Sequence, residues 1–228
     1  MTFIVAIDGG AGSGKGTIAR GISKKFNFSY FDTGIIYRGL ALKTISKYGE
    51  NFTDLNAVSE ANIFDINSVN DSEIRNPIID KYSSIIASIP DVRKIVVSIQ
   101  RNFKEQSKDH RGIVVDGRDI GTIIFPNANL KLFISASLEE RAKRRFSDFL
   151  EKNQKISYND VIKQLQKRDQ RDKERSVAPL VAAKDAHLVD TTGINIEDTL
   201  DIVSSLVIKK FDDYCDVLWF REINICQI

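Results

Sequence analysis

Short apolar runs that stop at glycine or aspartate alternate along this chain with stretches whose apolar residues recur every three or four positions. The first run, Phe3–Asp8, is rich in β-branched residues and reads as a buried strand. After Lys15, the residues Ile18, Ile22 and Phe26 recur every four positions and mark one face of a helix. Phe28–Phe31 predicts a second strand, Asp32–Gly34 a turn, and Ile36, Leu40 and Ile45 a helix to about Lys47. Asp91 is the expected cap of a helix running to about Glu105. The runs GIVVD (112–116) and LKLFIS (130–135) predict a third and a fourth strand. Ser137 with Glu140 reads as a capping box for a helix to about Lys152, and Ser157 with Asp160 as a similar start for one to about Lys173. HLVD (187–190) predicts a fifth strand, and Asn195 caps a last helix, 196–210.

Strands alternating with helices imply an α/β fold, a parallel sheet covered on both faces. Residues 49–90 break the alternation: they are polar, with several Asn, Asp and Ser and two prolines, and read as an insert of short helices outside the sheet. The expected division is a core of 1–48 and 91–210, an insert of 49–90 and a tail of 211–228. The tail, DDYCDVLWFREINICQI, is unusually apolar for a terminus. Docking on the body, association and disorder all remain open for it. The chain has no internal repeat and no low-complexity tract.

Composition bounds the function classes. A chain of 228 residues suits one sizeable core with small inserts, and 42% hydrophobic with 28% charged residues is ordinary for a globular protein. A net charge of +2 gives no global field toward nucleic acid or membrane, so neither partner is expected and any basic site is local. The start has no basic n-region, and no apolar run approaches the roughly 20 residues of a membrane span. Cys215 and Cys226 make no disulfide framework. The expectation is a reduced, cytoplasmic protein.

The stretch IDGGAGSGKGT, residues 7–17, buries little apolar surface and is costly to order. Gly9, four residues, then Gly14 and Lys15 give the spacing of a phosphate-binding loop between strand and helix. Glycines let backbone N–H groups turn inward around phosphate oxygens, and the following helix adds its positive end. Lys15 supplies a mobile cation for the outer phosphates. Gly9, Gly10, Ala11, Gly12, Ser13, Gly14, Lys15, Gly16 and Thr17 are therefore the expected ATP-binding loop. The usual motif places Ser or Thr directly after the lysine as a Mg²⁺ ligand; here Gly16 intervenes before Thr17. Gly-Lys-Gly-Thr resembles the loop of nucleoside monophosphate kinases, in which magnesium is held mostly through phosphates and waters. Asp116, ending the third strand, sits where a carboxylate can hold such a water.

Three further stretches, DTGIIYR, DGRDIGT and KRDQRDKERSVAPL, together with FPNANLKLFISASLEERAKRR, resemble the bacterial cytidylate kinase family in order and spacing. The resemblance covers residues 3 to about 210. It implies a P-loop NTPase three-layer fold with a five-stranded parallel sheet core, a monophosphate-binding insert and a helical lid at about 153–180. Physical need agrees, because two anionic nucleotides brought together require fixed cations, and the arginine fork binds phosphate oxygens in pairs. The resemblance assigns Arg38, Arg118 and Arg175 to the acceptor phosphate, Ser84, Arg168 and Asp172 to the sugar, and Thr33, Arg93 and Asp119 to the cytosine. Ser83 competes with Ser84. Lys15, Arg118, Arg168 and Arg175 form the implied catalytic set. Arg141 and Arg145, at i, i+4, line the ATP side by resemblance to monophosphate kinases; a basic surface helix is the equal alternative. His110 and His187 have no metal-like spacing. The insert lacks much of the strand-rich portion common in the family, which bears on the shape of the monophosphate site.

The implied reaction takes ATP and CMP or dCMP to ADP and CDP or dCDP with Mg²⁺, in a monomer. A phosphate acceptor hardly needs a general base, and lid closure excludes water. The rivals are a kinase for UMP, AMP or shikimate, and a nucleotide-binding regulator without transfer activity.

Overall fold

All five apolar runs become strands, and every neighbouring pair is parallel. The computed structural model describes residues 2–107, 110–151 and 155–219. Within them, β1 (Phe3–Gly9), β2 (Ser29–Asp32), β3 (Gly112–Gly117), β4 (Leu130–Ser135) and β5 (His187–Asp190) lie in the order β2-β3-β1-β4-β5. Val5 faces Val114 on one side and Leu130 on the other. The chain adds β2 and β3 to one side of β1, then β4 and β5 to the other. Such a reversal opens a crevice at the carboxyl ends of the strands.

Alternation along β1 divides the core. Phe3, Val5 and Ile7 pack with Ile18 and Ile22 of α1 (Lys15–Phe26) and with Val203 and Val207 of α8 (Ile196–Trp219). Ile4 and Ala6 pack on the other face with Ile36 and Leu40 of α2 (Gly34–Tyr48) and Val92 and Val96 of α5 (Pro90–Gln106). Each large apolar side chain so buried contributes roughly 1.5–3 kcal/mol. The result is a helix–sheet–helix sandwich.

Between α2 and α5 the chain forms α3 (Asp54–Asn62), a 3₁₀ turn (Ile66–Ser68) and α4 (Pro77–Ile86), none of which joins the sheet. A capping box starts α3: Asn56 N–H donates to Thr53 Oγ1 at 3.3 Å, and Thr53 N–H to Asn56 Oδ1 at 2.9 Å. Ala57, Ala61, Ile79 and Ile86 of this segment share the core of α2 and α5. Two further helices, α6 (Leu138–Glu151) and α7 (Tyr158–Glu174), join through Ala142, Phe149, Val161 and Leu165, and this cluster includes Ala11 of the glycine loop.

Several boundaries differ from expectation. Helix α5 starts at Pro90 with Ile89 in the cap position, so Asp91 lies in the first turn and is not the cap. Proline is pre-shaped for the first helical position. Before α6, Ser137 Oγ accepts the Glu140 N–H at 3.2 Å, but the return half of the box is replaced: Ser137 N–H donates to Thr192 Oγ1 at 2.9 Å, and Glu140 pairs with Arg144 at 2.9 Å. The expected end of α6, Lys152, lies outside the described residues. Helix α8 runs on to Trp219, because Val203, Val207, Phe211 and Cys215 keep a four-residue spacing onto the sheet. Phe211 meets Phe3 edge-on, with ring centroids 5.1 Å apart. The first half of the expected tail is thus a docked helix; residues 220–228 lie outside the described residues. Cys215 is buried on this stripe; Cys226, and with it the expectation of two reduced cysteines, lies outside the described residues. A π-helix at Ile120–Ile124, after β3, has no counterpart in the sequence reading. Among the described residues no helix is long and apolar enough to cross a membrane.

Candidate active site

The glycine loop leaves the carboxyl end of β1, where a side chain at Gly9 has no room: a Cβ there would lie 2.2 Å from the Ile134 carbonyl oxygen. At the other end Gly14 sits at φ 86°, which glycine adopts freely, and caps α1. Its carbonyl accepts the N–H groups of Thr17 at 3.0 Å and Ile18 at 3.1 Å. The first turn of α1 carries no acidic residue and no side-chain cap. Its positive end is therefore left for an anion. Arg141, almost fully buried, braces the loop from outside. It donates to Ala11 O and Ala136 O, each at 3.1 Å, and forks onto Asp169 at 3.0 and 2.7 Å.

Lys15 at the loop's end faces a carboxylate at the end of β3. Burial pulls the Lys15 ammonium down, helped by the nearby Arg118, while Asp116 and Asp32 oppose the shift. Burial pushes the Asp116 carboxyl up, and Lys15 opposes that. Tyr30 donates to Asp116 Oδ1 at 3.2 Å, and Thr33 Oγ1 donates to the Asp116 carbonyl at 2.7 Å. A Cβ at Gly16 would lie 3.3 Å from Asp116 Oδ2, so this carboxylate reaches the start of α1. Asp8, at the end of β1, accepts from the N–H groups of Ile120 and Gly121, each at 2.8 Å, and thereby fixes the turn that carries Arg118 and Asp119. Burial pushes Asp8 up to about 6, and these two N–H donors pull against it.

Beside the loop lies a narrow cavity of about 60 Å³. Its lining includes Lys15 and all nine residues expected on the acceptor side: Thr33, Arg38, Ser84, Arg93, Arg118, Asp119, Arg168, Asp172 and Arg175. Ser83 lines it as well. Carboxylates hold the guanidinium groups apart. Arg118 Nε donates to Asp172 at 2.9 Å, and Arg168 lies 4.0 Å from the same oxygen. Burial pushes Asp172 up, but Arg118 and Arg168 outweigh it and leave the carboxyl below its ordinary value. Arg93 pairs with Asp119 in full burial, and Arg175 lies 3.8 Å from the other Asp119 oxygen. Arg38 reaches both Asp32 at 3.5 Å and Asp80 at 3.3 Å. Even so, Tyr37 Oη, Arg38 NH1, Ser84 Oγ, Arg168 Nε and Arg175 NH2 are buried with no hydrogen-bond partner, and all five belong to residues lining this one cavity. Such orphans are rare in folded proteins and call for an explanation.

Two of the expected ATP-side residues behave differently. Arg141 spends its fork on the loop carbonyl and Asp169, so it supports the loop from outside. Arg145 turns to Asp80 on α4. The neighbouring Arg144, which the i, i+4 reading passed over, lies beside the loop: its NH1 is 3.5 Å from a Cβ built at Gly14. It also donates to Thr191 Oγ1 at 2.9 Å and Thr191 O at 2.7 Å. Asp32 and Asp80 were missed as well. Asp32 ends the observed β2 but was read as part of a turn; Asp80 carries no local signal. Among the described residues there is no group of three or more His, Cys, Asp or Glu that could hold a metal.

Comparison with known proteins gives the same answer along nearly the whole chain. A family model for cytidylate kinase matches residues 5–209. A cytidylate kinase of Fusobacterium nucleatum is 44% identical over 218 residues, covering 91% of this chain and 98% of its own length. That of Bartonella henselae is 40% identical over 205 residues, covering 90% of this chain and 94% of its own. A crystal structure of an uncharacterized protein from Eubacterium ventriosum superposes with a TM-score of 0.53 at 15% identity, covering 93% of this chain and 99% of that one, and supports the fold alone. With the family model spanning the loop, the cavity and every element between them, the chain belongs to the cytidylate kinase family.

Proposed function

We propose that the protein transfers the γ-phosphoryl group of ATP to CMP or dCMP, giving ADP and CDP or dCDP. The observation that carries this reading is the convergence, in the cavity beside Lys15, of buried donors that lack a hydrogen-bond partner. Such donors suit the phosphate and sugar oxygens of a nucleoside monophosphate. A cavity of about 60 Å³ is far smaller than the roughly 300 Å³ or more of a small-molecule site, so binding a nucleotide requires the walls formed by α4 and α7 to part.

In this reading ATP phosphates lie in the loop, against the backbone N–H groups and Lys15. Arg118, Arg168 and Arg175 converge with Arg38 on the acceptor phosphate and on the charge of the transfer. Phosphoryl transfer passes through a loose transition state, so positioning and neutralisation do most of the work. The acceptor is already an oxyanion and needs no base. The lowered Lys15 ammonium regains full charge once phosphates replace the buried, arginine-facing surroundings that depress it. For the base, Thr33 Oγ1 already donates its hydrogen bond to the Asp116 carbonyl, leaving lone pairs that accept from the cytosine amine. Asp119 adds a second acceptor, with Arg93 fixing its orientation.

Mg²⁺ fits the chemistry present. Asp116 reaches the start of α1 and would hold a metal-bound water, with Thr17 one residue beyond the usual ligand position; the lack of a multi-carboxylate cage among the described residues suits an ion held mainly by phosphates. The bound ion would neutralise phosphate charge. The substrates are small molecules, and a monomer suffices because every proposed contact comes from one chain.

Acceptor-dependent ADP release measured with CMP, dCMP, UMP, AMP and shikimate tests the reading. CMP and dCMP are expected to give the highest kcat/KM. Turnover with another acceptor and none with CMP overturns it, and nucleotide binding without any turnover points to a regulator.

A further inference from the structure

Asp80 lies in the first half of α4, outside every motif of the sequence reading. Its carboxylate takes three guanidinium groups from three different helices. Arg38 Nε of α2 lies 3.3 Å from Oδ1, Arg168 NH1 of α7 lies 3.5 Å from the same atom, and Arg145 NH2 of α6 bonds Oδ2. All four side chains are largely buried. Arg38 also meets Asp32 at 3.5 Å and Arg168 meets Asp172 at 4.0 Å, but Asp80 is where all three guanidinium groups converge. Burial pulls Arg145 down to about 10 and Arg168 down to about 9, and the neighbouring arginines deepen both shifts. Arg168 Nε and Arg38 NH1 also keep no hydrogen-bond partner. A carboxylate with two oxygens is thus doing, incompletely, what a phosphate with three would do.

The position of this cluster matters. It stands where the acceptor cavity, lined by Arg38 and Arg168, meets a wider cleft of about 670 Å³ between α4 and α7, lined by Asp80, Arg145, Arg168 and Ala11 of the glycine loop. Anything that draws the three arginines toward nucleotide phosphates must take them from Asp80.

We infer that Asp80 is a positioning residue, an internal anion that gathers Arg38, Arg145 and Arg168 before substrate binds and surrenders them to nucleotide phosphates. The inference rests on the reading above, in which these arginines serve phosphate. It follows that Asp80 competes with the ligand while keeping the arginines in place. It also follows that the α4 contact with α6 and α7 is broken as phosphate enters, so occupancy and parting of the walls are one event. Binding energy that would otherwise lower KM is used to release the carboxylate, and the gathered arginines appear in kcat.

The test is calorimetry with inorganic pyrophosphate on the full chain, comparing the parent with Asp80→Asn and Asp80→Glu. Removing a charge that lies 3.3 Å from Arg38 and 3.5 Å from Arg168 is expected to tighten pyrophosphate binding by about tenfold in Asp80→Asn, a conservative share of one close charge contact. The KM for CMP is expected to fall with it, kcat to fall as well, and Asp80→Glu to restore parental values. Unchanged or weaker pyrophosphate binding in Asp80→Asn overturns the inference and leaves Asp80 as a structural tie. If Asp80→Asn is too unstable for calorimetry, its melting temperature decides. A rise with saturating phosphate greater than the parent's supports the anion role, and an equal or smaller rise overturns it. Failure of the acceptor reading shows separately, as pyrophosphate binding that tightens in Asp80→Asn while the parent protein releases no ADP with CMP.

Discussion

The glycine loop and the acceptor cavity both prepare for phosphate, but by opposite means. In the loop the donors are backbone N–H groups fixed by nine consecutive residues, Gly9–Thr17. They carry partial charges, repel little and stay open without counter-ions. In the cavity the donors are guanidinium groups from α2, α5, the end of β3 and α7, each a full charge. They persist in close quarters only because Asp32, Asp80, Asp119 and Asp172 stand among them. A peptide cradle accepts its anion by addition. A side-chain cluster accepts it by exchange, and the protein carboxylates are the groups displaced.

The largest expected effect lies on the loop side. Lys15→Ala should lower turnover on the order of a thousandfold, as removal of a main phosphate-charge stabiliser does, while the melting temperature holds. Near-normal turnover in the purified variant would take the loop out of the chemistry and break the comparison. On the cavity side, Asp119→Asn should damage both stability and selectivity, because its carboxylate faces Arg93 and Arg175 in full burial. Breaking such a pair costs about 3–5 kcal/mol. An asparagine NH₂ also meets the uracil carbonyl better than a carboxylate does, so the ratio of kcat/KM for CMP over UMP should narrow. If stability falls and the ratio holds, Asp119 is scaffold and Thr33 carries the discrimination.

The smallest effect concerns Asp8, which belongs to neither ligand and joins the two regions. Its folded value, about 6, stands above the ordinary 3.8. The folded state therefore binds the extra proton, and the stability this brings is present below about 4 and lost as pH rises through about 6. Urea unfolding of Asp8→Asn should show that slope removed, a change on the order of 2–3 kcal/mol across the window. An unaltered slope would mean that the N–H groups of Ile120 and Gly121 already hold the carboxylate charged.

What could be read from the sequence follows the same division. The five strands and the loop are local patterns, and each appears where its residues predict it. The acceptor side was reached through short motifs, and its nine residues do meet in one cavity. Asp32 heads the motif DTGIIYR but was read only as part of a turn, and Asp80 lies outside every motif, its meaning coming from arginines far along the chain. Arg144 was passed over in favour of Arg145 because i, i+4 spacing from Arg141 says which residues share a helix face, not which one a loop will lie against. The extension of α8 was legible in principle. Val203, Val207, Phe211 and Cys215 continue one stripe past the expected end at 210.

The place of β1 in the sheet has a consequence for how the chain is made. Phe3 lies beside Gly112 in the ladder, Val5 beside Leu130, and the ring of Phe3 packs on those of Phe28, Phe211 and Tyr214. Of the five strands of the sheet, the first to be made is therefore still without one neighbour when β2 and β3 are complete. Until the residues of β4 have been synthesised it has no neighbour on one side, and its aromatic nest closes only when the final helix arrives. Contacts this distant in sequence make for slow folding, and an apolar strand held waiting is open to aggregation. The strand that ends in the glycine loop waits through most of the sheet's synthesis for the partners that cover it.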